Sequence, residues 1–417
     1  MTSTLVSDLP ESDDGALCRA CDGTTRMIVD AGPQPITNRY PATRGGETFR
    51  FEMVVAVCEV CALVQLVRPP SPADVRPREH WITSREPESH LDALADRVMA
   101  TFDRDRTPPM ALGVGDNDIA LLSKLEQRGA IAVQFEWRKE IVPTELFSAT
   151  ETLANWMSPE IAAVVATRIG RADLVVAQNL LEHAQQPGCL LGGLRELASP
   201  GGRLVLEVPD CSAGLVSPDP SILWEEHVSY FTPATLRRSV CRAGWDAEWV
   251  EPFPGVGQID ALFRLPEPSR REDLVKGGIA ERSEITQAIE FGSSLDRLQE
   301  RWRELLSDAR DRGNRIALYG SGHSGIVLVN VLGLGDLFDV AIDDNPHKAG
   351  RFLPGSYVPI LPFAEISRND RYSCVLALGA DTERRVLEAR KDWISAGTNM
   401  ISISPVSPLF PAKLRTP

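Results

Sequence analysis

The sequence ALGVGDNDIALLSKLEQRGAIAVQFE, residues 111–136, contains one complete strand–loop–helix–strand pattern. The apolar run Ala111–Val114 predicts a short strand, and Ala130–Phe135 predicts a second one. Between them, the apolar spacing of Ile119–Arg128 predicts a helix that ends near Gly129. Strands that alternate with helices in this way are typical of an α/β domain, and the alternation continues over residues 108–265.

The loop after the first of these strands is a candidate cofactor site. Gly113 and Gly115 let the backbone approach a ligand closely, and Asn117 and Asp118 stand at the N-terminus of the following helix. Glu136 lies 21 residues after Gly115, where an acid commonly bonds the two hydroxyls of a ribose. The pattern predicts an adenosine-bearing cofactor, and the alternative is a plain turn followed by an exposed glutamate.

Further strands and a helix of this domain follow along the chain, and a long helix comes after them. Asp173–Ala177 and Arg203–Val208 are predicted strands, separated by a helix over residues 188–197 that stops at Pro200-Gly201-Gly202. Residues 281–312 have apolar positions at mostly three- and four-residue spacing, which predicts a long amphipathic helix. We expect this helix to join or brace two domains.

The last hundred residues repeat the strand–turn–helix pattern. Arg315–Leu318 is a predicted strand, the glycine-rich turn YGSGHSG at residues 319–325 follows it, and Val340–Ile342 is the next strand. We therefore predict a second Rossmann-like domain. The predicted division of the chain is a disordered N-terminus (1–15), a zinc-binding module (16–75), a central domain (76–270), a connecting helix (271–313) and a C-terminal domain (314–417).

The cysteine spacing predicts a metal site near the N-terminus. The two pairs, Cys18-x-x-Cys21 and Cys58-x-x-Cys61, each allow a tight turn to direct two thiolates at one ion. Four thiolates complete a closed tetrahedral zinc site, which holds the fold and leaves no open position for catalysis. Phe51–Val57 is a predicted strand of this module, and the alternative is four buried free cysteines.

Bulk composition excludes some classes of partner. The 417 residues carry a formal net charge of −14, a surface that repels nucleic acid and anionic membranes. No run of about 18 apolar residues appears, and the acidic start MTSTLVSDLPESDDG lacks the pattern of a signal peptide. We therefore expect a cytoplasmic protein, in which paired cysteines bind metal more often than they form disulfides. The sequence does not set the oligomeric state.

Three further segments point to a known family. They are QNLLEH at residues 178–183, EEHVSYF at 225–231 and DDNPHKAGRFLPG at 343–355. Together with the paired cysteines and the two Rossmann-like units, they resemble the zinc-containing, S-adenosylmethionine-dependent C-methyltransferases of nucleotide-linked deoxysugars. The resemblance covers nearly the whole chain and implies a central class I methyltransferase domain. It also implies transfer of a methyl group from S-adenosylmethionine (SAM) to a carbon next to a ketone.

The resemblance implies roles for particular residues. A base must remove a proton from the carbon next to the ketone, and His227 is the candidate. Glu226 would orient His227, bond a sugar hydroxyl or take part in the proton transfer. His183 would bond the keto oxygen. Asn179 joins the expected cofactor-binding residues. The expected contacts to the nucleotide-linked sugar, or to a related small molecule, are Trp224, Tyr319, His323 and Lys348.

Departures from the family pattern keep other functions open. Gly113 stands where the family has an acid. Ile119 stands where the family has a glycine, and its side chain would occupy space near the methionine part of SAM. Trp224 replaces a tyrosine, and the family's tyrosine-rich segment corresponds here to residues 80–84 (HWITS). The alternatives are a diverged enzyme with another acceptor or reaction, and a non-catalytic scaffold in a biosynthetic complex. A dehydrogenase is a weaker alternative, because neither loop has the Gly-x-Gly-x-x-Gly form.

Overall fold

A computed structural model gives the architecture. It describes residues 16–46, 49–82, 88–103, 107–135, 150–253, 257–266, 280–367 and 369–414. Glu136, Thr83, Ser84 and the N-terminal stretch predicted to be disordered lie outside the described residues. Among the helices that are described, none has the length and apolar character needed to cross a membrane.

The zinc module is an antiparallel sheet that a distant segment completes. β1 (Thr25–Pro35), β2 (Arg50–Cys58) and β3 (Val64–Leu66) pair in sequence order. β-Branched residues fill β2, which suits a pleated, half-buried surface. The fourth strand, β8 (Ser229–Tyr230), comes from the central part of the chain and pairs with β3. The module is therefore built into the central domain.

The central domain has a six-stranded sheet in the order β5-β4-β6-β7-β10-β9. Its strands are β4 (Met110–Gly113), β5 (Ile131–Gln134), β6 (Ala172–Gln178), β7 (Ala198–Pro209), β9 (Asp246–Phe253) and β10 (Gln258–Arg264). The first four in chain order are parallel, and β10 runs antiparallel to β7 and β9. Parallel strands end at one edge, so the residues after β4 and β6 are brought together there. β7 starts at Ala198, so the expected stop at Pro200-Gly201-Gly202 lies inside a strand.

Helices cover both faces of the central sheet, as a parallel sheet requires. The helices of this part of the chain are α1 (Pro72–Val75), α2 (Leu91–Met99), α3 (Ile119–Gln127), α4 (Thr150–Trp156), α5 (Pro159–Ile169), α6 (Pro187–Leu197), α7 (Ser212–Val216) and α8 (Pro233–Arg242). α1 and α7 pack in a separate core with the zinc module and the C-terminal domain. α2 and α3 pack through leucines on one face. α5, α6 and α8 pack on the other, around the fully buried Trp245.

The C-terminal domain is a parallel sheet in the order β13-β12-β11-β14-β15. Its elements are β11 (Arg315–Tyr319), α10 (His323–Val331), β12 (Val340–Ile342), β13 (Ile360–Leu361), β14 (Tyr372–Leu376), α11 (Ala380–Ala389), α12 (Lys391–Ser395) and β15 (Asn399–Ser402). The glycine-rich turn therefore follows the central strand of this sheet, at the edge where doubly wound folds bind ligands.

The long helix α9 (Arg282–Asp311) binds the zinc module to the C-terminal domain. Its buried face includes Leu295 and Trp302, which belong to one hydrophobic core with residues of β1, β2 and β11. Gly292 packs directly on β1, because a Cβ there would lie 1.9 Å from the carbonyl oxygen of Ile28. Only glycine allows this approach of helix and strand.

Candidate active site

The four cysteines form a zinc-binding site. The Sγ atoms of Cys18 and Cys61 are 3.5 Å apart, as are those of Cys21 and Cys58, and all four lie within 4.8 Å of one another. A tetrahedral site with Zn–S bonds of about 2.3 Å has edges of about 3.8 Å, which these thiols fit. The backbone N–H of Val60 donates to Cys58 Sγ at 3.3 Å, which supports a thiolate there. The site is closed, and its role is structural.

The cofactor loop is shaped by Asp118, which is fully buried. Its carboxylate accepts from the backbone N–H groups of Val114, Gly115 and Gln178, each at 2.7 Å. The first two bonds fold the loop, and the third ties it to the end of β6. Burial raises the pKa of Asp118 to about 7, although the three N–H groups favour its charged form. Asp118 therefore builds the loop from inside, whereas Asn117 is exposed on it.

Two departures in the loop have structural explanations. A Cβ at Gly113 would meet Gln134 Oε1 at 2.5 Å, so the Gln134 side chain occupies the space of the missing acid. Gln134 Nε2 also donates to the carbonyl oxygen of Gly115 at 2.9 Å. Ile119 has 55% of its surface exposed, so its side chain points away from the packed interior of the loop.

The groups at this edge fit a ligand that carries N–H or O–H donors. Asn179 follows β6 with a φ of +48°, a strained value that asparagine tolerates better than most residues. Its Oδ1 and the Oε1 of Gln134 are buried, and neither finds a hydrogen-bond partner among the described residues. Buried acceptors without donors are costly unless a ligand supplies them. The amino and hydroxyl groups of SAM are donors of this kind, so the residues fit the cofactor.

A line of aromatic rings crosses from the central domain to the C-terminal domain. His183 and His227 meet edge to face with centroids 4.9 Å apart, and His227 lies 4.5 Å from Trp224. Trp224 in turn stacks on His323 at 4.4 Å. The structure thus brings together four predicted site residues. His227 is half-buried, whereas His183 is buried.

The environment keeps these histidines neutral. Burial, assisted by the neighbouring His183 and His323, holds the pKa of His227 well below its usual value. Burial also lowers the pKa of His183. His183 Nδ1 donates to the carbonyl oxygen of Glu226 at 2.8 Å, since a carbonyl can only accept. Its Nε2 is therefore an acceptor, which suits a substrate hydroxyl better than the keto oxygen that we expected it to bond.

Buried carboxyl groups lie beside the histidines. Burial raises the pKa of Glu226 well above its usual value, and the nearby carboxyls of Glu151 and Glu225 add to the effect. Burial likewise raises the pKa of Glu225 to about 7. Thr37 N donates to Glu225 Oε1 at 2.6 Å, and Asn38 Nδ2 donates to Glu226 Oε1 at 2.8 Å.

The sequence did not indicate four of the residues that surround the histidines. Thr37, Asn38, Glu151 and Glu225 belong to no spacing pattern, and only Glu225 lies within a segment that was singled out. Burial in the folded chain is the signal that marks them, because buried polar groups require partners.

Tyr319 and Lys348 occupy a second polar cluster at the carboxyl edge of the C-terminal sheet. Lys348 Nζ donates to Asp343 Oδ2 at 2.9 Å, and Tyr319 Oη donates to Asp344 Oδ2 at 3.2 Å. Arg390, which the sequence did not indicate, donates to Tyr319 Oη at 3.0 Å. These residues lie apart from the aromatic line and beside the glycine-rich turn, whose Ser321 Oγ donates to Asp343 at 2.6 Å.

The parallel sheet with its glycine loop is the architecture of class I methyltransferases, and comparison with known sequences supports this class. Family models match the chain in three parts: a zinc binding domain over residues 18–75, a methyltransferase domain over 85–249 and a C-methyltransferase C-terminal domain over 278–405. The C-methyltransferase NovU of Streptomyces niveus is 26% identical over 405 residues, which cover 92% of this chain and 94% of that protein. These matches support a SAM-dependent methyltransferase that combines a zinc-binding domain with a C-methyltransferase C-terminal domain.

Solved structures resemble the chain only in part. One is the 1,6-didemethyltoxoflavin-N1-methyltransferase of Burkholderia thailandensis, with 16% identity, 43% of this chain and 80% of that chain covered, and a TM-score of 0.29. Another is human N-acetylserotonin methyltransferase in complex with SAM, with 16% identity, 43% and 53% coverage, and a TM-score of 0.30. Both TM-scores are low, and each similarity covers less than half of this chain.

Proposed function

We propose that this methyltransferase adds a methyl group to the carbon next to the ketone of a nucleotide-linked deoxysugar, through an enolate. The observation that carries the proposal is the neutral, half-buried His227 packed against His183 and next in sequence to the buried acid Glu226. C-methylation needs a base and an acid on one small site, and this arrangement supplies both. The similarity to the C-methyltransferase NovU supports methyl transfer to a carbon atom.

His227 is the proposed base. A neutral imidazole can take the proton from the carbon next to a ketone, and burial keeps His227 neutral at physiological pH. The electrons of the broken C–H bond move into the C–C bond and onto the keto oxygen. The proton stays on His227 until the methylated product leaves.

Glu226 is the proposed partner of the enolate oxygen. A carboxyl group kept protonated by burial can donate a hydrogen bond to the oxygen as negative charge develops there. His183 presents an acceptor nitrogen, so we assign it a sugar hydroxyl. When bound, SAM supplies the electrophilic methyl group, and the loop around Asp118 together with Asn179 and Gln134 would hold it.

The C-terminal domain is the proposed nucleotide-binding side. Backbone N–H groups at the start of α10 are suited to a phosphate. Lys348 and Arg390 lie near the same sheet edge, where they are paired with Asp343 and Asp344. His323, the first residue of α10, would place the sugar near Trp224 and His227. We also propose a cytoplasmic location, because thiolates that bind zinc must stay reduced.

A second candidate is the same chemistry on a different keto acceptor. Trp224 stands where the family has a tyrosine, and its indole is already engaged: Nε1 donates to Thr37 Oγ1 at 3.1 Å while the ring stacks on His323. An indole cannot exchange a proton as a phenol can. An acceptor that needs no phenol at this position is therefore favoured.

The proposal is tested by exchange with solvent of the hydrogen on the carbon next to the ketone. The enzyme would be incubated in D2O with thymidine diphosphate 4-keto-6-deoxyglucose, with S-adenosylhomocysteine present so that no methyl group is transferred. We expect deuterium to enter next to the ketone, and His227→Asn to slow this by roughly 100-fold or more. The exposed His80 provides the control His80→Asn, which should exchange normally. Normal exchange by His227→Asn contradicts the assignment of the base.

A further inference from the structure

A short segment of the zinc module reaches into the candidate active site. Thr37 and Asn38 follow β1 and lie against Trp224–Glu226, 187 and 188 residues away along the chain. The Thr37 hydroxyl donates to Glu225 Oε1 at 2.9 Å and accepts from Trp224 Nε1 at 3.1 Å. Each of the three residues before His227 is therefore bonded to this segment.

The orientation of the Asn38 amide is fixed by its neighbours. Asn38 Nδ2 donates to the carbonyl oxygen of Val75 at 2.6 Å, and a carbonyl can only accept. The amide nitrogen must therefore face Val75, and its second hydrogen points to Glu226 Oε1 at 2.8 Å. On the other side, the Arg39 guanidinium, which can only donate, bonds Asn38 Oδ1. A flip of the amide would break the bonds to the Val75 carbonyl and to the Arg39 guanidinium.

This amide determines which oxygen of Glu226 can carry a proton. Oε1 accepts from Asn38, so a proton on a neutral Glu226 must be on Oε2. Glu226 also shares a side-chain hydrogen bond with the buried Glu151, so an enolate oxygen would replace Glu151 as the acceptor of the Oε2 proton. The titratable and charged groups that face the Glu226 carboxyl are Glu151 from α4, Glu225 and, from the zinc module, Arg39. His183 contacts the same residue at its backbone carbonyl.

We propose that Asn38 is a positioning residue for the reaction: its amide holds Glu226 Oε1 as an acceptor, so that the carboxyl proton stays on Oε2 for donation. The inference rests on the proposed role of Glu226 and adds the residue that directs it. It also gives the zinc module a part in the chemistry, because the segment that follows β1 is held by a sheet whose strands end at the zinc ligands.

The protonation state of Glu226 can be read without any acceptor. Infrared difference spectra between two pH values show the C=O band of a protonated carboxyl, and Glu226→Gln identifies the band of Glu226. The bond from Asn38 favours the charged form of Glu226. In Asn38→Ala we therefore expect the band to move to higher frequency and to persist to higher pH. Asn38→Leu, which has a similar size and no donor, should do the same if Asn38→Ala is poorly folded.

Deuterium exchange with the same keto-sugar probe measures the effect on the reaction. We expect Asn38→Ala to lower the exchange rate roughly 10- to 100-fold, with zinc content and SAM affinity unchanged. Asn330→Ala is the matched control, since Asn330 Nδ2 also donates to two groups, the carbonyl oxygens of Ile326 and Pro354, within the C-terminal domain. That variant should keep both the exchange rate and the Glu226 band.

The two measurements separate the two proposals. A Glu226 band with unchanged frequency and pH range in both Asn38 variants overturns the positioning role, whatever the exchange rate does. A wild-type enzyme that exchanges no deuterium overturns the proposed acceptor chemistry, and the infrared result still decides the role of Asn38.

Discussion

The indole of Trp224 and the imidazole of His323 stack with their centroids 4.4 Å apart and their planes inclined by 18°. His323 Nε2 also donates to the carbonyl oxygen of Ser221 at 2.8 Å. His323 is the first residue of α10 in the C-terminal domain, and both partners belong to the segment that leads to His227. The glycine-rich turn of one Rossmann-like domain is thus docked beside the candidate base of the other.

We expect His323→Ala to lower kcat/KM for the nucleotide-linked sugar about tenfold. Loss of the ring contact and one hydrogen bond removes roughly 1–3 kcal/mol. The effect should fall mainly on KM, because the turn would bind the substrate rather than react with it. Steady-state kinetics against His80→Ala is the measurement, and an unchanged KM would show that the docked turn does not touch the substrate.

Asp118→Asn should weaken SAM binding by roughly 10- to 100-fold. The change removes the charge that three backbone N–H groups share, and hydrogen bonds to charged groups contribute about 1.5–3 kcal/mol. Calorimetric titration with SAM measures the loss. Asp116→Asn, two residues earlier and exposed, is the control and should bind normally. Equal affinity of the two variants would mean that the loop does not hold the cofactor.

The pH dependence of deuterium exchange should lack the step near pH 6.5 that an ordinary histidine gives. The pKa of His227 is depressed by burial, so the base is lost only when the pH falls through that lower value. The pKa of Glu226 is raised, so the acid is lost as the pH rises through it. We expect a plateau around neutral pH and an alkaline decline. Glu226→Gln should abolish the decline; if the decline persists, another group such as Glu225 causes it.

Zinc removal should abolish methyl transfer while SAM binding is affected much less. β1 begins beside the zinc ligands, where Thr25 pairs with Cys58, and leads at its other end to Thr37 and Asn38, whereas the cofactor loop is built from other elements. Chelation followed by metal analysis, calorimetry with SAM and an activity assay tests this. The variant Cys58→Ser should lose zinc without a chelator. A zinc-free protein with full activity would show that the module has no influence on the site.

The sequence predicted those parts of the fold whose patterns are local. The predicted strand Asp173–Ala177 lies within β6, and the helix expected at residues 281–312 is observed as Arg282–Asp311. β1 was not predicted, because its sequence TRMIVDAGPQP contains glycine and two prolines that disfavour a regular strand. Pro200-Gly201-Gly202 forms an irregular part of β7, because the pairing with β6 shifts register between Ala198 and Arg203 and Gly201 has a φ of +74°.

The candidate site was only partly predictable for the same reason. His183 and His227 were found through segments that resemble a family, and the structure packs their rings together. Asn38 and Glu151 have no pattern around them, and their importance arises from burial beside Glu226. The role expected for His183 toward the keto oxygen did not anticipate that its Nδ1 is engaged by a backbone carbonyl.

The amino-acid sequence by itself determined the zinc ligands, the α/β class and the glycine loop. Each depends on residues close together in the chain, where spacing and backbone geometry fix what can meet. The tertiary structure alone decided that Thr37 and Asn38 hold Trp224–Glu226, and that Trp224 stacks on His323. It also decided the protonation of His227 and Glu226, because distant elements exclude water from these side chains and so stabilise their neutral forms.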